Sequence, residues 1–458
     1  LFSIVGELMQ ENLKHSLKNR HIQMIALGGA IGTGFFLGSA SAIQMTGPSI
    51  VLAYILGGLI IYAVMRALGE MTVDYPTSGS FVKYAHMYLG PVFGFIAGWN
   101  AWLLFTLACM LEVTAVGTLL DYWFYIPHWI TCLVLLVTFG SLNLISVKYF
   151  GEAEFWFAGI KVTVIIAMIL LGSYLIFFHH DVNQIAKANL LEYSHASVFF
   201  SNGTMGFLDS LVIVCLSFCG SEFVGVAAGE AENPQKTIPK AINGVVIRII
   251  LFYVLTLAII VLMYPFSKIT PETNPFSDVF IKLGFSKSAS IINLVAIIAA
   301  VSALNSCIYV AARFIYSLAL NNQASVMFTQ ANKSGVPNRA VVFTLGIAFF
   351  AVIANYTFPA TILQYLFALI TVAIIINWFI IMLSHLMFRR KANLLKKATL
   401  FKMPGYPVVN ILIIGSLSMI LVVMFRNENM KLSVIMAPIW IVLLLIIYSV
   451  KNKCTKQI

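Results

Sequence analysis

A chain of 458 residues that is 60% hydrophobic and only 10% charged is not a soluble globular protein, since soluble domains carry about 25% charged residues. Its net charge of +11 does not indicate a nucleic-acid binder, because the basic residues sit between apolar runs rather than on a water-facing surface. Those runs have the length of bilayer-crossing helices, not of the short alternating strands of a barrel, so the expected fold class is an all-α integral membrane protein.

Residues 1–22 are mixed in character and include Lys14, Lys18 and Arg20. They are expected to form a cytoplasmic segment rather than a cleavable signal peptide. Twelve apolar segments follow, at 23–41, 49–73, 92–120, 129–146, 154–177, 206–228, 242–264, 290–319, 340–357, 361–387, 408–425 and 432–450. With the N-terminus inside, Lys and Arg favour the inner connections over the outer ones by about three to one. Arg389, Arg390, Lys391, Lys396, Lys397 and Lys402 make the densest inner cluster. One missed span would invert every later loop and destroy the bias, so 12 transmembrane helices are expected, with both termini cytoplasmic and a tail at 451–458.

Segments one and six differ from the rest. The first contains Gly28, Gly29, Gly32 and Gly34, and the sixth contains Ser217-Phe218-Cys219-Gly220-Ser221-Glu222. Glycine and small polar residues weaken a helix at mid-span. Two broken helices five apart indicate a 5+5 inverted repeat, 23–177 and 206–387, because an odd number of helices per repeat reverses the second across the bilayer. Helices 11 and 12, at 408–450, are then additional. A break at mid-membrane leaves backbone groups that something polar must satisfy. Amides near Gly32, Thr33 and Gly34 suit a carboxylate, and freed carbonyls suit an ammonium; an α-amino acid offers both on one carbon. The competing reading is close helix packing through small residues. A nucleotide loop is excluded, since no strand precedes the glycines and no Lys follows them.

The run from Leu17 to Gly34 resembles the opening signature of amino acid permeases of the amino acid–polyamine–organocation (APC) superfamily, in its bacterial amino acid transporter family. The resemblance continues through Arg66-Ala67-Leu68-Gly69-Glu70-Met71, Pro76-Thr77-Ser78-Gly79-Ser80-Phe81, Lys148-Tyr149-Phe150-Gly151-Glu152, Glu230-Ala231-Glu232-Asn233-Pro234 and Gly335-Val336-Pro337. It implies the broken-helix, LeuT-like inverted-repeat fold and proton-coupled or exchange transport of amino acids. It also implies that Ile31, Gly32, Thr33 and Gly34 hold the substrate carboxylate and amine. Phe218, Cys219 and Gly220 would do so from helix 6, with Phe218 as a gate. Lys161 corresponds to a family lysine that stands where sodium-coupled relatives bind a cation, which makes it the proton-coupling residue. A snorkelling side chain is the competing reading, because Lys161 lies about 10 Å into its span.

Glu112 lies deep in helix 3, where an acid needs a cavity or a partner; a substrate amine, a proton relay and a structural pair all remain open. Glu222 either contacts substrate or caps loose amides of the break. Arg66 and Glu70, one turn apart, are expected to form an ion pair or inner gate. Ser302, Asn305, Tyr309 and Arg313 share one face of helix 8, which places Asn305 either on the cavity or in polar bundle packing.

No nucleophile–base set is found, and the one metal-type cysteine spacing, Cys215 and Cys219 one helical turn apart, has no His nearby, so an enzyme is not expected. All six cysteines are read as reduced, and the histidines as lying mostly at segment ends or in loops. The expected function is import of an L-amino acid across the cell inner (cytoplasmic) membrane by proton symport, with no cofactor and the proton as coupling ion. The alternatives are an exchanger of the same fold and an amino acid-binding membrane sensor. A neutral amino acid is the first choice of substrate and a basic one the second. Leu104, in the place of an acid found in some relatives for aromatic substrates, argues against an aromatic one. The expected partners are the substrate and the lipid bilayer, with no nucleic acid; the oligomeric state is unknown from sequence.

Overall fold

The computed structural model describes residues 23–24, 31–77, 79–145, 147–228, 233–269, 276, 284, 286–359, 361–395 and 399–455. The segment 1–22, Gly28, Gly29, Ser78, the stretch 229–232, Lys396 and Lys397 lie outside the described residues, as do the side chains of 147–150 and Cys454.

Among the described residues every regular element is helical. In chain order these are α1 Thr33–Phe36, α2 Gly38–Thr46, α3 Ile50–Asp74, α4 Ser80–Tyr88, α5 Pro91–Leu120, α6 His128–Asn143, α7 Val147–Phe178, α8 His180–Glu192, α9 Ala196–Phe199 and α10 Gly203–Ser217. Then follow α11 Phe223–Ala227, α12 Pro234–Arg248, α13 Leu255–Met263, α14 Ser286–Leu320, α15 Asn338–Ala348, α16 Phe350–Thr357, α17 Ile362–Leu394, α18 Val408–Arg426 and α19 Glu428–Thr455. Lipid offers the backbone no partner, so helices that satisfy their own hydrogen bonds are the structure this composition permits.

Ten stretches among the described residues are long and apolar enough to cross a membrane. One of them, Thr33–Asp74, holds α1, α2 and α3, and α6 is a shorter apolar helix outside the ten. The chain is therefore a multi-pass membrane protein. Its lipid-facing surface is apolar: on α19, Leu432, Ile435, Ile439, Val442, Ile446 and Val450 are all exposed.

Helix ends follow local chemistry. Gly47, at φ +65°, and Pro48 separate α2 from α3 by a single tight turn. Gly90, at φ +108°, and Pro91 do the same between α4 and α5. Such φ values are cheap only for glycine, and proline at the first helical position gives up an amide that would have been unpaired anyway. At the core, α5 and α14 pack lengthwise, with α1, the α10–α11 junction and α17 against them.

Candidate functional site

Non-helical residues stand at both expected places among the described residues. Ile31 and Gly32 are non-helical; Gly32 is extended (φ −122°, ψ −161°) and α1 begins at Thr33. Helix α10 ends at Ser217, Phe218 to Glu222 form turns with Gly220 at φ +90°, and α11 begins at Phe223. The two breaks touch backbone to backbone. A Cβ on Gly34 would lie 3.2 Å from the Leu216 carbonyl oxygen and 3.3 Å from the Ser217 Cα. Ser217 joins them: its Oγ donates to the Gly34 carbonyl at 2.8 Å and accepts from the Tyr54 hydroxyl, also at 2.8 Å. Gly34→Val is therefore expected to push the breaks apart and lower initial uptake about ten-fold or more, the scale of 1–3 kcal/mol of overpacking. Initial rates at matched membrane protein check this.

A cavity lies between the breaks. Gly32 lines it just before α1, Gly34 from α1, Ala108, Leu111 and Glu112 from α5, and Cys219 and Gly220 from the α10–α11 junction. Ala303 and Cys307 line it from α14, and Ile370 from α17. It measures about 30 Å³, room for a water or two and too little for an amino acid. Glu112 is buried, its Oε1 would stand 3.0 Å from a Cβ on Gly32, and its Oε2 has no hydrogen-bond partner among the described residues. An acid in this position is costly unless a cation completes it.

Lys161, on α7, does not snorkel. Its side chain is fully buried, and Nζ donates to Ser302 Oγ at 2.9 Å and to the Ile31 carbonyl at 3.4 Å. Ser302 in turn donates to Glu154 Oε2 at 2.7 Å, and Glu154 Oε1 lies 3.8 Å from the ammonium. The lysine thus ties the α1 break to α7 and α14. Glu154 is absent from the expected site residues. Its signal was its place seven residues before Lys161, two helical turns earlier on the same face.

Other expected residues fall elsewhere. Phe218 is not among the cavity walls; its ring packs with Tyr253 at 5.0 Å and Tyr54 at 5.9 Å. Glu222 accepts from the Gly220 amide at 3.1 Å and from the Trp378 indole, so its carboxylate caps the break. Ser302, Asn305, Tyr309 and Arg313 are all buried. Asn305, however, accepts from Asn143 of α6 at 2.8 Å, while α14 meets the cavity through Ala303 and Cys307.

The expected Arg66–Glu70 pair does not form. Arg66 donates to the Asn243 side chain at 2.8 Å and the Lys402 carbonyl at 2.9 Å, and stacks over Phe401. Glu70 instead accepts from Arg389 at 2.7 Å, the Met403 amide at 2.7 Å and His385 at 2.9 Å. One turn of separation allowed the local pair, but the segment 399–403 lies over the end of α3 and offers both side chains better partners. His385, expected among residues at segment ends and in loops, is fully buried here.

Residues 21–457 match the amino acid permease family. The chain is 40% identical to the aromatic amino acid transport protein AroP of Escherichia coli K12, over 99% of both chains. It is 41% identical to AroP of Salmonella typhimurium LT2 over 98% of both. It is also 40% identical to the uncharacterized transporter YdgF of Bacillus subtilis 168 over 97% of both.

Proposed function

The chain belongs to the amino acid permease family, and from that premise we propose that it imports a neutral L-amino acid across the cytoplasmic membrane together with a proton, by alternating access. It is a transporter of amino acids, not an enzyme; the direction, the coupling ion and the side chain carried are the proposal. The observation that carries it is Glu112, a buried carboxylate with one oxygen unpaired among the described residues, on a cavity beside Gly32 and the α10–α11 junction. The substrate ammonium completes that acid, and its carboxylate meets the amides that open α1.

Dividing the stretch Thr33–Asp74 into helix 1, with α1 and α2, and helix 2, with α3, and counting α6 as helix 4, gives twelve spans. Helices 1–5 and 6–10 form the inverted repeat, and both termini are cytoplasmic. Lys161 is the coupling group: its charge holds the Ile31 carbonyl and Glu154, and loss of its proton releases the α1 break to move. Alternating access is supported by a cavity too small for the substrate in this conformation. The walls beside Glu112, formed by Ala108, Leu111, Ala303 and Ile370, favour an apolar side chain, aromatic rings included. Leu104, the residue that argued against an aromatic substrate, is buried and is not among those walls, and AroP is named for aromatic transport.

The test is uptake of a labelled amino acid mixture into proteoliposomes at two external pH values, with each L-amino acid as competitor. Inhibition by a few apolar amino acids, with uptake rising at acid external pH, is expected. Uptake indifferent to the pH gradient that requires preloaded amino acid would instead identify an exchanger. Cys219, partly exposed on the cavity, gives an independent check. Its alkylation by a small thiol reagent is expected to block uptake and to slow several-fold when saturating substrate is present; a labelling rate unchanged by substrate places the binding site elsewhere.

A further inference from the structure

We propose that a groove between the turn Val326–Thr329 and α15 binds one anionic phospholipid, with its headgroup on Arg339 and an acyl chain along the apolar wall. The groove has a volume of about 420 Å³ and is lined by Met327, Phe328, Asn338, Arg339, Val342 and Phe343. It is separate from the substrate cavity, and the inference is independent of the transport reading.

Its apolar flank opens outward, with Val326 68%, Met327 46% and Val342 57% exposed. On a membrane protein such a flank at the start of a span faces hydrocarbon, and a cation at its end meets the headgroup layer. Arg339 supplies that cation and is exposed.

The support for Arg339 is built rather than loose. Gly335-Val336-Pro337, the motif that the transport site does not use, turns the chain with Gly335 at φ +79°. Asn332 Oδ1 accepts from the Ser334 and Val336 amides at 2.9 Å, and its Nδ2 donates to Asn338 Oδ1 at 3.2 Å. The turn carries exposed Lys333 at one end and Arg339 at the other. The sequence has no acidic residue between Asp278 and Glu428, so no acid of this stretch neutralises them. This charge complementarity selects an anionic headgroup over a zwitterionic one.

The floor connects the groove to the core. Phe343 packs on Phe328 at 5.3 Å and stacks on Trp102 at 5.2 Å, and the Trp102 indole donates to Thr344 at 3.1 Å. Trp102 lies on α5, the helix that carries Glu112. A lipid seated in the groove therefore braces the packing of α15 on α5.

The experiment is native mass spectrometry of the full chain in neutral detergent, titrated with phosphatidylglycerol or with phosphatidylcholine of the same acyl chains. Phosphatidylglycerol is expected to bind more tightly. Arg339→Gln should weaken it about five-fold, the worth of one cation near a lipid surface, while leaving phosphatidylcholine unchanged, and Arg339→Lys should retain it. An unchanged lipid-free melting temperature shows that the Gln variant is folded. Equal binding of the two lipids, or full phosphatidylglycerol binding by the folded Gln variant, overturns the proposal. So does displacement by millimolar inorganic phosphate alone, which would make this a site for free anions.

Discussion

Lys161→Ala is expected to lower pH-driven uptake about 100-fold or more, because removing one partner of a buried ion pair costs about 3–5 kcal/mol. The loss has two parts that can be separated. Glu154 keeps its bond from Ser302 but is left as a buried carboxylate without its cation, which lowers the yield of folded protein. The Ile31 carbonyl loses its donor from α7, which frees the α1 break from the state of that helix. The double variant Lys161→Met with Glu154→Gln removes both charges, so folded yield should recover while pH-driven uptake does not. Recovery of pH-driven uptake in the double variant would reduce Lys161 to a structural role. Initial rates with and without an imposed pH gradient, beside size-exclusion profiles of the purified variants, make the comparison.

Glu70→Ala is expected to have the second largest effect, and on stability. Three donors converge on this carboxylate: His385 and Arg389 of α17, and the Met403 amide of the segment between α17 and α18. Alanine leaves the buried His385, the half-buried Arg389 and the Met403 amide without this acceptor. A loss of about 3–5 kcal/mol follows, with a fall in melting temperature on the order of 5 °C or more. Glu70→Gln keeps one acceptor oxygen and should lie between. A thermal unfolding scan of the purified variants decides; an unaltered midpoint for the alanine variant would mean that water replaces the carboxylate without cost. Arg66→Ala is a useful contrast. Its guanidinium binds the Lys402 carbonyl and stacks on Phe401, so it holds the same segment independently of Glu70.

The broken helices were legible because helix chemistry is local. Glycines and small polar residues at mid-span disfavour the helix wherever they occur, and the described residues are non-helical at Ile31–Gly32 and at Phe218–Glu222. The buried ammonium of Lys161 was legible only as a choice between burial and snorkelling. Depth along one helix does not say what the neighbouring helices present, and the choice fell to Ser302 and the Ile31 carbonyl. Glu154 was overlooked because its role depends on α14 packing against α7. Phe218 and Asn305 were read from motif and periodicity. The turn at Gly220 and the docking of α6 gave them other neighbours.

The sequence by itself determined the solvent, the element type and the family. The apolar length of each run, the placement of charge and the two interrupted helices follow from composition and local backbone preference. Which acid meets which base was decided by the tertiary structure. Glu70 chose Arg389 and His385 over Arg66, one turn away, and Glu112 was left facing a cavity with an oxygen unpaired among the described residues. Buried charges take the partner whose geometry best replaces lost water, and in a helical membrane protein that partner comes from another helix, remote in sequence and fixed only by packing.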